Sequence, residues 1–379
     1  MNKFFFELLQ VAIGNRQALT SRPTDEEWEL LYSECEKHAL LGIAFCGVER
    51  LPKEQFPSFD VAAEWVHDAQ VAKENNIKLN ELCRKVDEKF KSDGFECCIL
   101  KGQSNLVNYP KEIREYRTAG DIDIWVRPAQ DNMGKSEPVK SVIKYVRNLR
   151  KEHGFTDEEE IRYHHIDMNG VFSCEVEVHF RPQFLDAPYR NRRFQKWASQ
   201  SFAPIVTESG IPVPSVSYNA VYQLVHLQRH LMDEGIGLRQ ILDYYMVLRR
   251  LKEDSLEGSV ESLEGRDRIM QTIGSFGMKK FASAIMYVLQ KVFNMPDEYL
   301  ICKPDEKVGA FVLSEILLGG NFGRADHRFA KADDGVLAHA FGKTLHNLMF
   351  LRYFPEEVLW EPVFRLYHWA WRKFEWWRV

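Results

Sequence analysis

Two carboxylates sit one residue apart in the run GDIDIWV, at Asp121 and Asp123. Residues two apart on a strand share a face. Asp121, Asp123 and Trp125 therefore point one way, and Ile122, Ile124 and Val126 the other. The run CEVEVHF repeats the pattern, with Glu175, Glu177 and His179 on one face and Val176, Val178 and Phe180 on the other. If the two strands are neighbours, Asp121, Asp123 and one of the two glutamates converge. Carboxylates a few ångströms apart repel, at large cost away from water. A hard divalent cation relieves that cost, and Mg2+ is typically held by one or two carboxylates together with phosphate oxygens. A pair of such ions activates an attacking hydroxyl and neutralises a leaving pyrophosphate. The plainer reading is a half-exposed strand with its polar face in water, for which alternation is the ordinary pattern.

A second run, ILKGQSNLVNY, ends a β-type stretch at Lys101-Gly102 and continues through Gln103 and Ser104 into a short helical pattern. Glycine lets backbone N–H groups approach a phosphate there, and a helix N-terminus adds a favourable dipole. Many strand-to-helix turns carry a glycine for local reasons alone. Further on, IRYHHIDMNGVFSCEVEVHF reads as a hairpin turning at Asn169-Gly170, a pair favoured in type I′ turns. A two-residue turn places Arg162 opposite Glu177 and His164 opposite Glu175. Arg162 is then a cross-strand ion pair or a phosphate contact beside the site.

Other candidates are weaker. His226 and His230 share a helix face, but no Glu follows the first as in HExxH zinc sites. They read as surface or satisfied histidines, or as pocket lining. Arg239 and Asp243 have the same spacing, which suits an intrahelical pair or a substrate contact. Arg190, Arg192 and Arg193 form a small basic patch, either a solvated loop or a contact for phosphates.

The elements that must position these residues fall into three segments. Residues 1–95 read as helical. Thr24 is a cap for the stretch that begins DEEWELL, and a long helix ends at Gly94. Residues 96–215 mix short β-type runs with a helix, PVKSVIKYVRNLRKEH, that stops at Gly154. Residues 216–379 read as helical again, with helices over 260–292, 306–318 and 335–352 after a pair joined at DEGIG. The tail carries Trp360, Trp369, Trp371, Trp376 and Trp377. It reads as a last helix docked on a core, with a membrane or partner surface as the alternative.

The chain has 379 residues, 45% hydrophobic and 28% charged, with a net charge of −5. That is an ordinary globular balance and gives no basic stripe for long nucleic acid. Seven cysteines at irregular spacing, with no CxxC pair, suit reduced thiols in a cytoplasmic protein. No run approaches the roughly 18 apolar residues of a membrane span, and the start, MNKFFFELLQ, reads as a helix face.

In order, the strand, the Gly-polar turn, the Asp-x-Asp strand and the later strand with a third carboxylate resemble the polymerase-β-like nucleotidyltransferase superfamily. LKGQSNLVNYP, REYRTAGDIDIWV and HHIDMNGVFSCEVEVHF, with HLQRHLMDEGIGLRQILDYYMVL downstream, resemble a family of uncharacterised bacterial nucleotidyltransferases over about residues 95–250. The resemblance implies an α+β fold, with a small mixed sheet between helical N-terminal and C-terminal regions. It implies that Asp121, Asp123 and Glu177 are catalytic and hold Mg2+ or Mn2+. It gives Lys101, Gly102, Gln103, Ser104 and Arg117 to the nucleotide. Arg162, His164, His179, His226, His230 and Arg239 remain as candidates for a substrate pocket. Two features depart from the superfamily pattern: the turn is Gly-Gln-Ser where Gly-Ser or Gly-Gly is common, and the stretch from Gly102 to Asp121 is long. The implied reaction moves a nucleotidyl group from a nucleoside triphosphate to an acceptor. A non-catalytic ligand-binding protein on the same scaffold and a metal-dependent phosphohydrolase are the alternatives.

Overall fold

The helix Phe59–Ser92 ends where Gly94 takes a left-handed backbone (φ 87), and the chain turns directly into β1, Phe95–Leu100. The computed structural model describes residues 3–129, 137–155, 161–256, 264–326, 328 and 336–374. β2 is Ile122–Pro128, β3 His165–Asp167 and β4 Val176–His179. They form one mixed sheet in the order β1-β2-β4-β3. β1 is antiparallel to β2, β2 parallel to β4, and β4 antiparallel to β3. A parallel pair needs a crossover, and the helix Pro138–Glu152 lies in it, stopping before the left-handed Gly154 as its spacing predicts. A separate ribbon pairs β5, Ile205–Val206, with β6, Pro212–Val213. The fold is α+β, a small mixed sheet among helices, as the resemblance implies.

Strand parity holds. Ile122, Ile124 and Val126 of β2 enter one hydrophobic core with Cys97 and Ile99 of β1 and Val176 and Val178 of β4. Cys83, Val86 and Phe90 from the long helix cover them, with Val142, Val146 and Leu149 from the crossover helix. Each fully buried aliphatic side chain contributes roughly 1.5–3 kcal/mol. That burial commits the sheet to one face and leaves Asp123 and Trp125 on the other.

The expected hairpin register is corrected. β3 and β4 pair His165 with His179 and Asp167 with Glu177, so Arg162 does not face Glu177 and His164 does not face Glu175. The connection runs from Met168 through Glu175 rather than turning on two residues. Gly170 is left-handed (φ 78), and a Cβ there would meet the Phe155 ring at 2.4 Å. The turn is therefore packed on a ring as well as closed by its own backbone.

Contacts group the chain into two units, each discontinuous in sequence. The sheet unit is Lys78–Val107, Ala119–Asn219 and Phe354–Val379. Its last helix, Pro355–Lys373, inserts Phe364 and Trp371 into the core below the sheet, as a docked final helix would. Leu359, Val363, Leu366 and Trp369 of that helix are exposed, and Trp376 and Trp377 lie outside the described residues.

The helical unit is Met1–Ile77, Asn108–Thr118 and Ala220–Tyr353. Thr24 caps the helix Asp25–Lys37 in a capping box: its side chain accepts from the Glu27 N–H, and Glu27 accepts from the Thr24 N–H. The stretch expected as one helix over 260–292 is two, Glu264–Ser275 and Lys279–Phe293, parted at the left-handed Gly277 (φ 77). Among the described residues, no helix is long and apolar enough to cross a membrane.

Candidate active site

The site is built on the sheet unit. β1 ends with Leu100 opposite Asp123, and Lys101 then takes a left-handed backbone (φ 49). That conformation costs a non-glycine residue about 1–2 kcal/mol and persists where the surroundings impose it. It sends the Lys101 ammonium to Asp123, Nζ to Oδ1 at 2.7 Å. A Cβ at Gly102 would lie 3.7 Å from the Asp121 carbonyl oxygen, so turn and acid are packing neighbours. Gln103 and Ser104 are buried and engaged locally. Gln103 Nε2 donates to Asn80 Oδ1 (2.9 Å), and the Ser104 hydroxyl donates to the Lys101 carbonyl (2.7 Å).

Asp121 immediately precedes β2, and Asp123 is within it, 3% exposed. The parallel register pairs Asp123 with Glu177 and Trp125 with His179. Glu177, not the exposed Glu175, is thus the third carboxylate of the group. His179 Nε2 lies 2.8 Å from Asp123 Oδ1 and 3.2 Å from Glu177 Oε2. From β3, His165 Nε2 lies 3.1 Å from Asp167 Oδ1, and its Nδ1 lies 3.5 Å from Glu177 Oε2 and 3.0 Å from His164 Nε2.

The electrostatics are uneven. The neighbouring Asp123 charge, then burial and Glu177, push the Asp121 carboxyl from an ordinary 3.8 up to about 7. Burial works against ionising Asp123, yet the Lys101 ammonium and the His179 hydrogen bond hold it below the usual carboxylate range. Burial likewise opposes the Glu177 charge, but His179, Lys101 and His165 together pull it far down. His179 loses to burial and gains more from hydrogen bonds to Asp123 and Glu177, so its pKa is raised.

Three groups of ligand atoms within 4.8 Å of one another occur among the described residues: Asp123, Glu177 and His179; His165, Asp167 and Glu177; and His164, His165 and His179. Asp121, expected as a ligand beside Asp123 and Glu177, is in none of these groups and meets the first through its charge. His165 and Asp167 were missed in the sequence because a two-residue turn gave β3 the wrong partners. Their spacing in His165-Ile166-Asp167, a polar pair flanking an apolar residue, carried the same parity signal as Asp121-Ile122-Asp123.

Other predicted residues lie elsewhere. Arg162 is exposed, and its N–H bonds the His165 carbonyl. Arg190 pairs with Glu356 and Glu357 of the last helix of the sheet unit. Arg117 belongs to the helical unit, 3% exposed, with Nε on Asp243 Oδ1 and Nη2 on Asp243 Oδ2, both 2.7 Å. Arg239, in the same unit, donates to the Thr118 carbonyl (3.0 Å). The His226 and His230 rings lie 4.1 Å apart between centroids, tilted by 60°, and His230 bonds Glu234.

An Asp-x-Asp run entering β2 beside a Lys-Gly turn, with a third carboxylate on the adjoining parallel strand, is the arrangement that the resemblance implies. The family model of uncharacterised nucleotidyltransferases matches residues 24–294, more than half of the chain, and the chain belongs to that family. The match reaches into the helical segments on both sides of the sheet. No curated protein matches the chain, and no solved structure does.

Proposed function

We propose that the sheet unit transfers a nucleotidyl group from a nucleoside triphosphate to a hydroxyl or phosphate acceptor, with Mg2+ or Mn2+. The β2–β4 register carries the reading, because it sets Asp123 against Glu177 with Asp121 two residues before. The donor set fits a hard cation. It is rich in carboxylate oxygen, and Asp121 is forced toward its neutral form when only Lys101 and the histidines compensate the group. Asp121, Asp123 and Glu177 would hold the ion. When bound, it polarises the triphosphate and lowers the pKa of the acceptor hydroxyl.

The chain's own groups do the rest. Lys101 places a positive charge at the turn, where triphosphate oxygens carry the opposite sign. Gly102 keeps that turn free of a side chain for their approach. Gln103 and Ser104 fix its shape from below through Asn80 and the Lys101 carbonyl. Asp123 Oδ2 has no hydrogen bond among the described residues and is free to take up an ion or a proton.

A second reading, a nucleotide-binding protein without turnover, is favoured by one observation. Lys101 and His179 both bond Asp123 Oδ1, so the protein itself supplies cations to that carboxylate. Calorimetry with each nucleoside triphosphate, with and without Mg2+, combined with a pyrophosphate assay, separates the two. Mg2+-dependent binding and pyrophosphate release, both lost in the Asp121→Ala, Asp123→Ala double variant, is the expected result. Binding without release favours the second reading, and release of inorganic phosphate indicates a phosphohydrolase. An unmodified chain that neither binds nor turns over a nucleotide sinks all of them.

A further inference from the structure

The histidines beside the carboxylates form a group of their own. His164, His165 and His179 each offer a ring nitrogen, and these atoms lie within 4.8 Å of one another. The β3–β4 register puts His165 beside His179, and the His164 ring meets the His179 ring edge-on at 5.2 Å between centroids. The closest approach is His165 Nδ1 to His164 Nε2, 3.0 Å. Tetrahedral zinc with Zn–N bonds of about 2.0–2.1 Å spaces its nitrogens about 3.3–3.4 Å apart. That pair already stands near ligand spacing.

The far nitrogens are held by carboxylates. His165 Nε2 bonds Asp167, and His179 Nε2 bonds Asp123 and Glu177. A carboxylate on the far nitrogen fixes the tautomer and orientation of a metal-bound histidine and raises its basicity. His179 has only Nδ1 left. The residue is 0% exposed, and Nδ1 has no hydrogen-bond partner among the described residues. A buried polar atom in that state is costly until something binds it. His164 is half-buried, whereas His179 is fully buried.

We propose that His164, His165 and His179 hold a borderline divalent transition cation of the Zn2+ type through three imidazole nitrogens. This nitrogen-ligated position adjoins the oxygen-ligated one of Asp121, Asp123 and Glu177, to which His179 and His165 are joined through Asp123 and Glu177. Imidazole selects such cations over Mg2+, so the two positions do not compete for one ion. Three nitrogen ligands leave a fourth position for water or a substrate oxygen. The inference does not depend on nucleotidyl transfer.

The test uses the full chain, stripped with a chelator and free of nucleotide. Zn2+ is titrated against a chromophoric competitor, and Co2+ is followed in the visible. One equivalent of Zn2+ per chain is expected, retained in millimolar Mg2+, with the intense spectrum of four-coordinate Co2+. His164→Gln and His165→Gln each weaken Zn2+ binding at least about 100-fold, and Asp121→Asn keeps the uptake. Failure of the unmodified chain to take up an equivalent overturns the proposal. So does a pale six-coordinate Co2+ spectrum, or uptake that both glutamine variants leave unchanged. If either variant does not fold, the Co2+ spectrum of the unmodified chain decides. Zinc uptake without nucleotide binding counts against the Mg2+ reading alone, and nucleotide turnover without zinc uptake counts against this inference alone.

Discussion

Asp243 and Asp123 are both buried carboxylates, one in each unit, and they are neutralised differently. Asp243, in the helix Leu238–Leu256, receives a two-pronged guanidinium from Arg117 and the Tyr109 hydroxyl at 2.7 Å. One fork matches one carboxylate, a geometry suited to Arg. Asp123 bonds Lys101 and shares His179 with Glu177, and the charges of both acids act on Asp121. There the carboxylates exceed the fixed cations, and Asp121 is driven toward its neutral form. A saturated pair holds a fold together, and an unsaturated one gains from a cation supplied from outside.

Breaking the saturated side gives the largest effect. Arg117→Ala leaves Asp243 buried without its guanidinium, and denaturant unfolding is expected to show a loss of about 3–5 kcal/mol. If instead the variant loses nucleotide binding while keeping its stability, Arg117 acts on ligand and the comparison fails.

The unsaturated side is read by pH. Asp121 has its folded pKa raised from 3.8 to about 7, so its contribution to stability is full below pH 3.8 and is lost as pH rises through 7. In cation-free protein this group alone is expected to cost about 4 kcal/mol over that interval. Asp121→Asn removes the slope, and saturating Mg2+ flattens it in the unmodified chain. A slope untouched by either would show that the carboxylates do not repel in solution.

The smallest effect comes from the helical unit and has the opposite sign. His38 is stacked on Phe5 and accepts from the Leu238 N–H at its Nδ1 (3.3 Å). Burial, and then Lys37, lower its pKa from 6.5 to about 3. Its contribution is present above pH 6.5 and is lost as pH falls, by about 1–2 kcal/mol between pH 6.5 and 5. The two contributions have opposite sign and overlap between pH 3.8 and 6.5, so His38→Gln should steepen the fall in stability with rising pH that Asp121 causes. Urea midpoints measured at each pH check both.

The sheet face and its acids were legible because strand parity is local. Ile122, Ile124 and Val126 declare the buried side, and Asp123 follows on the other. Glu177 over Glu175 came from the resemblance, and the parallel register agrees with it. The pairing of β3 was not legible, since the connection from Met168 through Glu175 is longer than the two-residue turn that Asn169-Gly170 suggests. Nor was Arg117's partner. Asp243 lies 126 residues away in sequence, and its own spacing to Arg239 suggested a helical pair instead. Contacts of that kind belong to the assembled core and leave no periodic trace in the chain.

The core under the sheet is drawn from three separated stretches, the last beginning at Phe354. A ribosome has therefore delivered all four sheet strands, and the helical unit's last segment, before Phe364 and Trp371 exist to cover them. Until then, the lower face of the sheet is an unfinished apolar surface, of the kind chaperones recognise. Chains stalled before Phe354 should be captured or degraded, whereas chains reaching Lys373 close the core with their last helix.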